Sequence, residues 1–120
     1  MIPAELKAKL KTLPSSPGVY FHKNREGEVI YVGKAAVLRN RVRQYFQNTE
    51  KDPKTEALVA EIHDTDWLIV DTEMDALFLE SEMIKRYMPK WNILIIKYFW
   101  FFTKSAPELA SQSVTLEGLG

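Results

Sequence analysis

The sequence predicts a small α/β domain of the α+β kind, and three observations point to it. Short runs of β-branched and aromatic residues are interspersed with stretches in which apolar residues recur every three or four positions. The chain has 120 residues, enough for one core and too few for two full domains. Hydrophobic residues make up 46% and charged residues 27%, which suits a folded chain and excludes a disordered or collagen-like one.

The elements follow in order. Residues 5–12 read as a short basic helix, ended by the turn Leu13-Pro14-Ser15-Ser16-Pro17-Gly18. Val19 to Lys23 and Glu28 to Val32 have strand composition and flank the turn Asn24-Arg25-Glu26-Gly27, which makes a hairpin. Its register, and so whether Tyr20 and Tyr31 share a face, stays open. Leu38, Val42, Tyr45 and Phe46 then set a helical period over 36–47, with Arg41 and Tyr45 one turn apart. Leu58, Val59 and Ile62 indicate a helix over 54–63, and Trp67 to Val70 a third strand. Thr72 is placed to cap a long helix over 73–88, whose first turn holds Glu73 and Asp75 as the helix dipole favours, and Pro89 ends it. Residues 93–102 carry one charge in ten and read as a buried strand or an interface, too short to span a bilayer. Residues 103–120 read as a loose tail.

Composition narrows the chemistry. Without cysteine there is no disulfide, thiolate zinc site or cysteine nucleophile, and His22 and His63 are too few for a histidine metal centre. Any metal must rest on carboxylate oxygen. The first residues lack the apolar stretch of a secretion signal, so a cytoplasmic location is expected, with no membrane contact. The net charge is zero but unevenly spread: residues 34–47 hold Lys34, Arg39, Arg41 and Arg43 and no acid, whereas residues 50–82 hold eleven acids against Lys51 and Lys54. Such a basic segment is either a solvated helix face or an oriented contact for a polyanion.

Glu80 is the odd residue of the long helix. The stripe Glu73, Leu77, Glu80, Ile84, Tyr87 places it in an otherwise apolar line without a cation among its axial neighbours, whereas Glu82 has Lys85 and Arg86 within one turn. It is therefore either a metal ligand or catalytic acid, or a glutamate at the boundary of the exposed face. Tyr20 and Tyr31 are either sheet-packing aromatics or, with Lys34 close to Tyr31 just past Gly33, phenols helped toward phenolate. Arg41 offers a guanidinium that can hold a phosphate through two parallel bonds.

In order along the chain, Gly18-Val19-Tyr20, Ile30-Tyr31-Val32-Gly33-Lys34-Ala35, Leu38-Arg39-Asn40-Arg41-Val42 with Tyr45-Phe46, Ala76-Leu77-Phe78-Leu79-Glu80, Ile84-Lys85 and Pro89-Lys90-Trp91-Asn92 resemble the GIY-YIG nuclease family. The run Leu13 to Tyr20 and the Tyr31 to Lys34 segment are similar to its excision-repair branch, the N-terminal nuclease domain of UvrC-type subunits. The resemblance covers roughly residues 6–93, which divides the chain into a nuclease-like domain, 1–93, and a divergent aromatic segment with its tail, 94–120.

What the resemblance implies is a three-stranded antiparallel sheet flanked by helices, cutting DNA phosphodiesters with one divalent cation, Mg²⁺ or Mn²⁺. Glu80 would hold the metal, Tyr31 and Lys34 would activate water, and Tyr20 would assist or share the base role. Arg41 and Tyr45 would contact the scissile phosphate, Lys34, Arg39, Arg41 and Arg43 would bind DNA, and Gly33 and Asn92 would support the site. It further implies the 3′-side incision of nucleotide excision repair, with other repair subunits engaged through regions outside this chain. The alternatives are a binding or interaction module of the same fold and a stand-alone nuclease for branched DNA or restriction. The chain departs from the branch at Asp75, where glutamate is usual, and after Asn92, where a polar stretch gives way to Tyr98-Phe99-Trp100-Phe101-Phe102.

Overall fold

The computed structural model describes residues 2–105. The elements are α1 (Ala4–Leu10), β1 (Gly18–Lys23), β2 (Val29–Ala35), α2 (Leu38–Phe46), α3 (Pro53–Glu61), β3 (Asp64–Ile69), α4 (Glu73–Tyr87) and α5 (Lys90–Ser105). The strands form one antiparallel sheet in the order β2-β1-β3. Expected and observed elements agree in kind as far as α4.

The hairpin turns on Gly27, whose φ of 82° belongs to the left-handed region, and on the Asn24 carboxamide oxygen, which accepts from the Glu28 amide at 2.9 Å. The register pairs Tyr20 with Gly33 and His22 with Tyr31, so both tyrosines lie on one face of the sheet. Two strands are longer than the composition suggests. Val19 and Gly18 pair with Lys34 and Ala35, which keeps Gly33 and Lys34 inside β2. β3 begins at Asp64 because Lys9 and Lys23 bind the carboxylates that would otherwise argue for a loop: Lys9 lies 3.2 Å from Asp64, and both lysines pair with Asp66.

The sheet has a core on each side. Tyr20 packs with Leu6, Leu10, Leu38, Val42 and Leu58 from α1, α2 and α3, whereas Val19, Phe21 and Val32 pack with Ala76, Leu79 and Met83 of α4. α4 starts as its sequence dictates. The Thr72 hydroxyl accepts from the Asp75 amide and the Asp75 carboxylate from the Thr72 amide, a reciprocal cap. It ends at Met88, in the left-handed conformation at φ 45°, before Pro89.

Residues 93–102 are not a strand: they belong to α5, whose first turn is closed by the Ile93 amide on the Pro89 carbonyl. Nor are they buried throughout, since Leu94, Ile96, Tyr98, Trp100, Phe101 and Phe102 are exposed. A continuous apolar run has no periodicity to separate helix from strand, which is why composition misleads here. The division drawn at 93/94 falls within this helix; residues 103–105 complete it, and the remainder of the expected tail lies outside the described residues. Among the described residues no helix is long and apolar enough to cross a membrane.

α5 is tied to the sheet by Asn92. Its carboxamide oxygen accepts from the Val32 amide at 2.8 Å and its nitrogen donates to the Val32 carbonyl at 2.9 Å, satisfying both backbone groups on the outer side of β2. Replacing Asn92 with Ala leaves these buried groups unpartnered, and a loss of about 1–3 kcal/mol is expected in urea unfolding, with faster hydrogen exchange at the Val32 amide.

Candidate active site

Glu80 and Ala76 are the two buried residues of α4, one turn apart, and both face the sheet. Glu80 is 8% exposed, whereas Leu77 and Tyr87 of the expected stripe are about half exposed, so the inward line runs slightly aside of the one drawn from spacing. The compensation missing from its own helix comes from elsewhere. Burial pushes the Glu80 carboxyl above the usual range, while the charge and backbone amide of Lys34 on β2 and the Arg41 guanidinium on α2 pull it back.

Across the sheet from α4 stand three phenols. The Tyr20 and Tyr45 hydroxyls are 2.8 Å apart, and the rings of Tyr20, Tyr31 and Tyr45 lie 5.6–6.4 Å from one another. Gly33 makes room for them. A Cβ at this position would lie 2.3 Å from the Tyr20 hydroxyl and from the ring carbon that bears it, so only glycine lets that phenol cross the strand. Burial raises the pKa of both Tyr20 and Tyr31, the neighbouring phenols add to this, and Arg41 is the cation that opposes it. Lys34, expected beside Tyr31, points away from it, because residues three apart on a strand face opposite ways. Its charge acts on Glu80 instead.

The basic run is divided by the helix. Arg41 lines an open groove of about 720 Å³ together with Lys34, Asn40 and Gln44, facing Glu73, Met74, Ala76 and Leu77 on α4. A smaller adjoining pocket carries the lining on through Tyr45, Lys51 and Thr55. Arg39 and Arg43 line neither, and the Arg39 Nε donates to the Leu13 carbonyl at 3.0 Å. Lys34, Arg41, Tyr45, Tyr20, Tyr31 and Glu80 thus converge, while Asn92 and Gly33 shape the strand beneath them.

His22 went unread as a part of this site. It is fully buried on β1, its ring 4.6 Å from that of Tyr45 and 6.2 Å from that of Tyr31, with Nδ1 2.8 Å from the Thr65 hydroxyl and Nε2 unpartnered. Strand alternation alone places it beside Tyr20. Burial lowers its pKa from 6.5 to about 3, so the unfolded chain takes up a proton that the folded chain refuses. Its contribution to stability is therefore complete above pH 6.5 and is lost progressively toward pH 3. Urea unfolding between pH 7 and 4 should show a shallower decline in His22→Met than in the wild type.

Residues 16–93 match the family model of the UvrC-like GIY-YIG domain. The UvrABC system protein C of Caldanaerobacter subterraneus subsp. tengcongensis is 52% identical over 92 residues, 76% of this chain and 15% of that protein. That of Clostridium botulinum strain Hall is 44% identical over 122 aligned positions, covering 95% of this chain and 20% of its own length. The chain therefore spans about a sixth to a fifth of these relatives. Among solved structures, the GIY-YIG N-terminal endonuclease domain of UvrC from Thermotoga maritima, bound to its catalytic divalent cation magnesium, superposes with a TM-score of 0.65 at 35% identity, covering 74% of this chain and 97% of that one. Sheet order, the converging side chains and these matches agree: the chain belongs to the UvrC-like GIY-YIG family of endonuclease domains.

Proposed function

We propose that the chain is a metal-dependent endonuclease domain that hydrolyses DNA phosphodiesters and makes the 3′-side incision of nucleotide excision repair. The observation that carries this reading is the meeting of one buried carboxylate, Glu80, with Lys34 and Arg41 beside the three phenols. The similar UvrC proteins and the magnesium-bound Thermotoga maritima domain support it.

The residues present fit a hard divalent cation. Glu80 offers carboxylate oxygen at a buried position whose environment favours added positive charge, and among the described residues no group of three or more His, Cys, Asp or Glu side chains is arranged to hold a metal ion, so the protein's share of the ligands is this one carboxylate. That donor set suits Mg²⁺ or Mn²⁺ held by one carboxylate, water and substrate phosphate. When bound, the cation supplies Lewis-acid polarisation of the phosphate and stabilisation of the leaving oxygen.

The side chains do the rest. Arg41 grips the scissile phosphate with two N–H groups and Tyr45 donates to it from the next turn of α2. Lys34 places positive charge on the Glu80 side of the strand. Tyr31 or Tyr20 takes the proton of the attacking water. Burial keeps both as phenols at rest and Arg41 favours their ionisation, while the Tyr20–Tyr45 hydroxyl pair gives the proton a second oxygen. Arg39 and Arg43, on the far flank of α2, meet phosphates further along the strand. With so few basic contacts, DNA affinity is modest and falls with salt, so the choice of lesion comes from repair subunits engaged outside this chain.

Nicking of supercoiled plasmid tests the reading. With Mg²⁺ or Mn²⁺ the wild type should nick and a chelator should stop it, while Glu80→Gln and Tyr31→Phe each lower the rate about 100-fold or more. Nicking that persists in both variants, or in chelator, removes the assignment.

A further inference from the structure

The groove between α2 and α4 holds more than a phosphate requires. Its α2 side carries Lys34 and Arg41 with the carboxamides of Asn40 and Gln44, a wall of hydrogen-bond donors with two positive charges. Its α4 side is apolar: Met74 and Leu77 are 60% and 44% exposed, and Phe78, 65% exposed, extends the same ridge at i, i+3, i+4 spacing. No catalytic role above uses these three residues. The one charge on that side is Glu73, which repels a phosphate and can accept from an exocyclic amino group.

A ligand with an anionic end and a flat apolar body, in that orientation, matches the two walls. A volume of about 720 Å³ lies within the range of small-ligand sites and admits a nucleotide. The groove also adjoins the catalytic residues, since Lys34 and Arg41 belong to both and Ala76 is one turn from Glu80.

We infer that this groove seats one unstacked nucleotide of the substrate strand, its sugar-phosphate on the α2 wall and its base against Met74 and Leu77. Its place next to the scissile phosphate rests on the nuclease reading; its occupancy by a nucleotide does not. The seat makes the domain prefer a strand with one nucleotide free to leave the stack, because apolar contact with the base then replaces lost stacking.

The test uses a short single-stranded oligonucleotide containing 2-aminopurine, added to the full chain in chelator so that nothing is cut. The comparison is between wild type and Met74→Ser/Leu77→Ser, a pair of exposed positions outside the catalytic set. The expected result is a change in 2-aminopurine fluorescence on binding by the wild type that the double variant loses, with at least fivefold weaker binding. Plasmid nicking with Mg²⁺ is measured on the same preparations. Nicking together with unchanged fluorescence, or with equal binding by the double variant, overturns the seat and leaves the nuclease reading intact. A fluorescence response that the double variant loses, without nicking, supports the seat and counts against the nuclease reading alone; a response that the double variant keeps overturns the seat with or without nicking. If instead the substitutions only dissociate a dimer in sedimentation, the ridge covers a second copy and the nucleotide seat is overturned.

Discussion

Strand β1 is hydrogen-bonded along both edges, and this double pairing decides where almost every functional side chain goes. Val19 and Phe21 turn to α4, Tyr20 and His22 to α2, and the neighbours registered against them inherit the same sides. Through β2 it aligns Gly33 under Tyr20 and Tyr31 beside His22; through β3 it brings Thr65 to the His22 ring. A slip of one residue would send the tyrosines toward α4 and the apolar residues toward the groove. The helices are attached to a register already fixed.

Within that frame the sheet separates the acid from the phenols, although the Glu80 charge still reaches Tyr31 and adds to its raised pKa. Glu80 approaches from the α4 side and meets Lys34, whereas the phenols occupy the α2 side and feel Arg41. Arg41 is common to both groups. One guanidinium therefore acts on both sides of β2: it favours the ionised form of a buried carboxylate on one and of buried phenols on the other. Neither feature is comfortable alone, and the two meet at the rim of one groove.

The ordered elements up to α4 and the Thr72 cap were legible because each rests on local spacing, whereas spacing singled out Glu80 and left it open between an inward acid and a boundary glutamate. The pairing of the tyrosines was not, because it depends on register across the hairpin. Lys34 was assigned to Tyr31 by closeness in sequence, and strand alternation, a rule available from the start, would have turned it to the other face. The same helical phase that singled out Glu80 separates Arg39 and Arg43 from Arg41, although all three count equally in a charge tally. His22 was weighed only as a metal ligand, because its hydrogen-bond partner, Thr65, is 43 residues away and no local spacing joins them. The aromatic run of α5 defeated pattern reading altogether, for it is apolar all round and yet exposed.

The two hydrogen bonds between Asn92 and Val32 join residues 60 apart in the chain. The β1–β2 hairpin closes over a handful of residues, whereas this clasp closes a loop that contains α2, α3, β3 and α4 and carries the larger entropic cost. It gives the strand that carries Tyr31 and Gly33 two backbone partners on its outer edge. The order of the strand that carries Tyr31 and Gly33 is thereby coupled to the docking of α5: with residue 92 undocked, two buried backbone groups of β2 are left without partners.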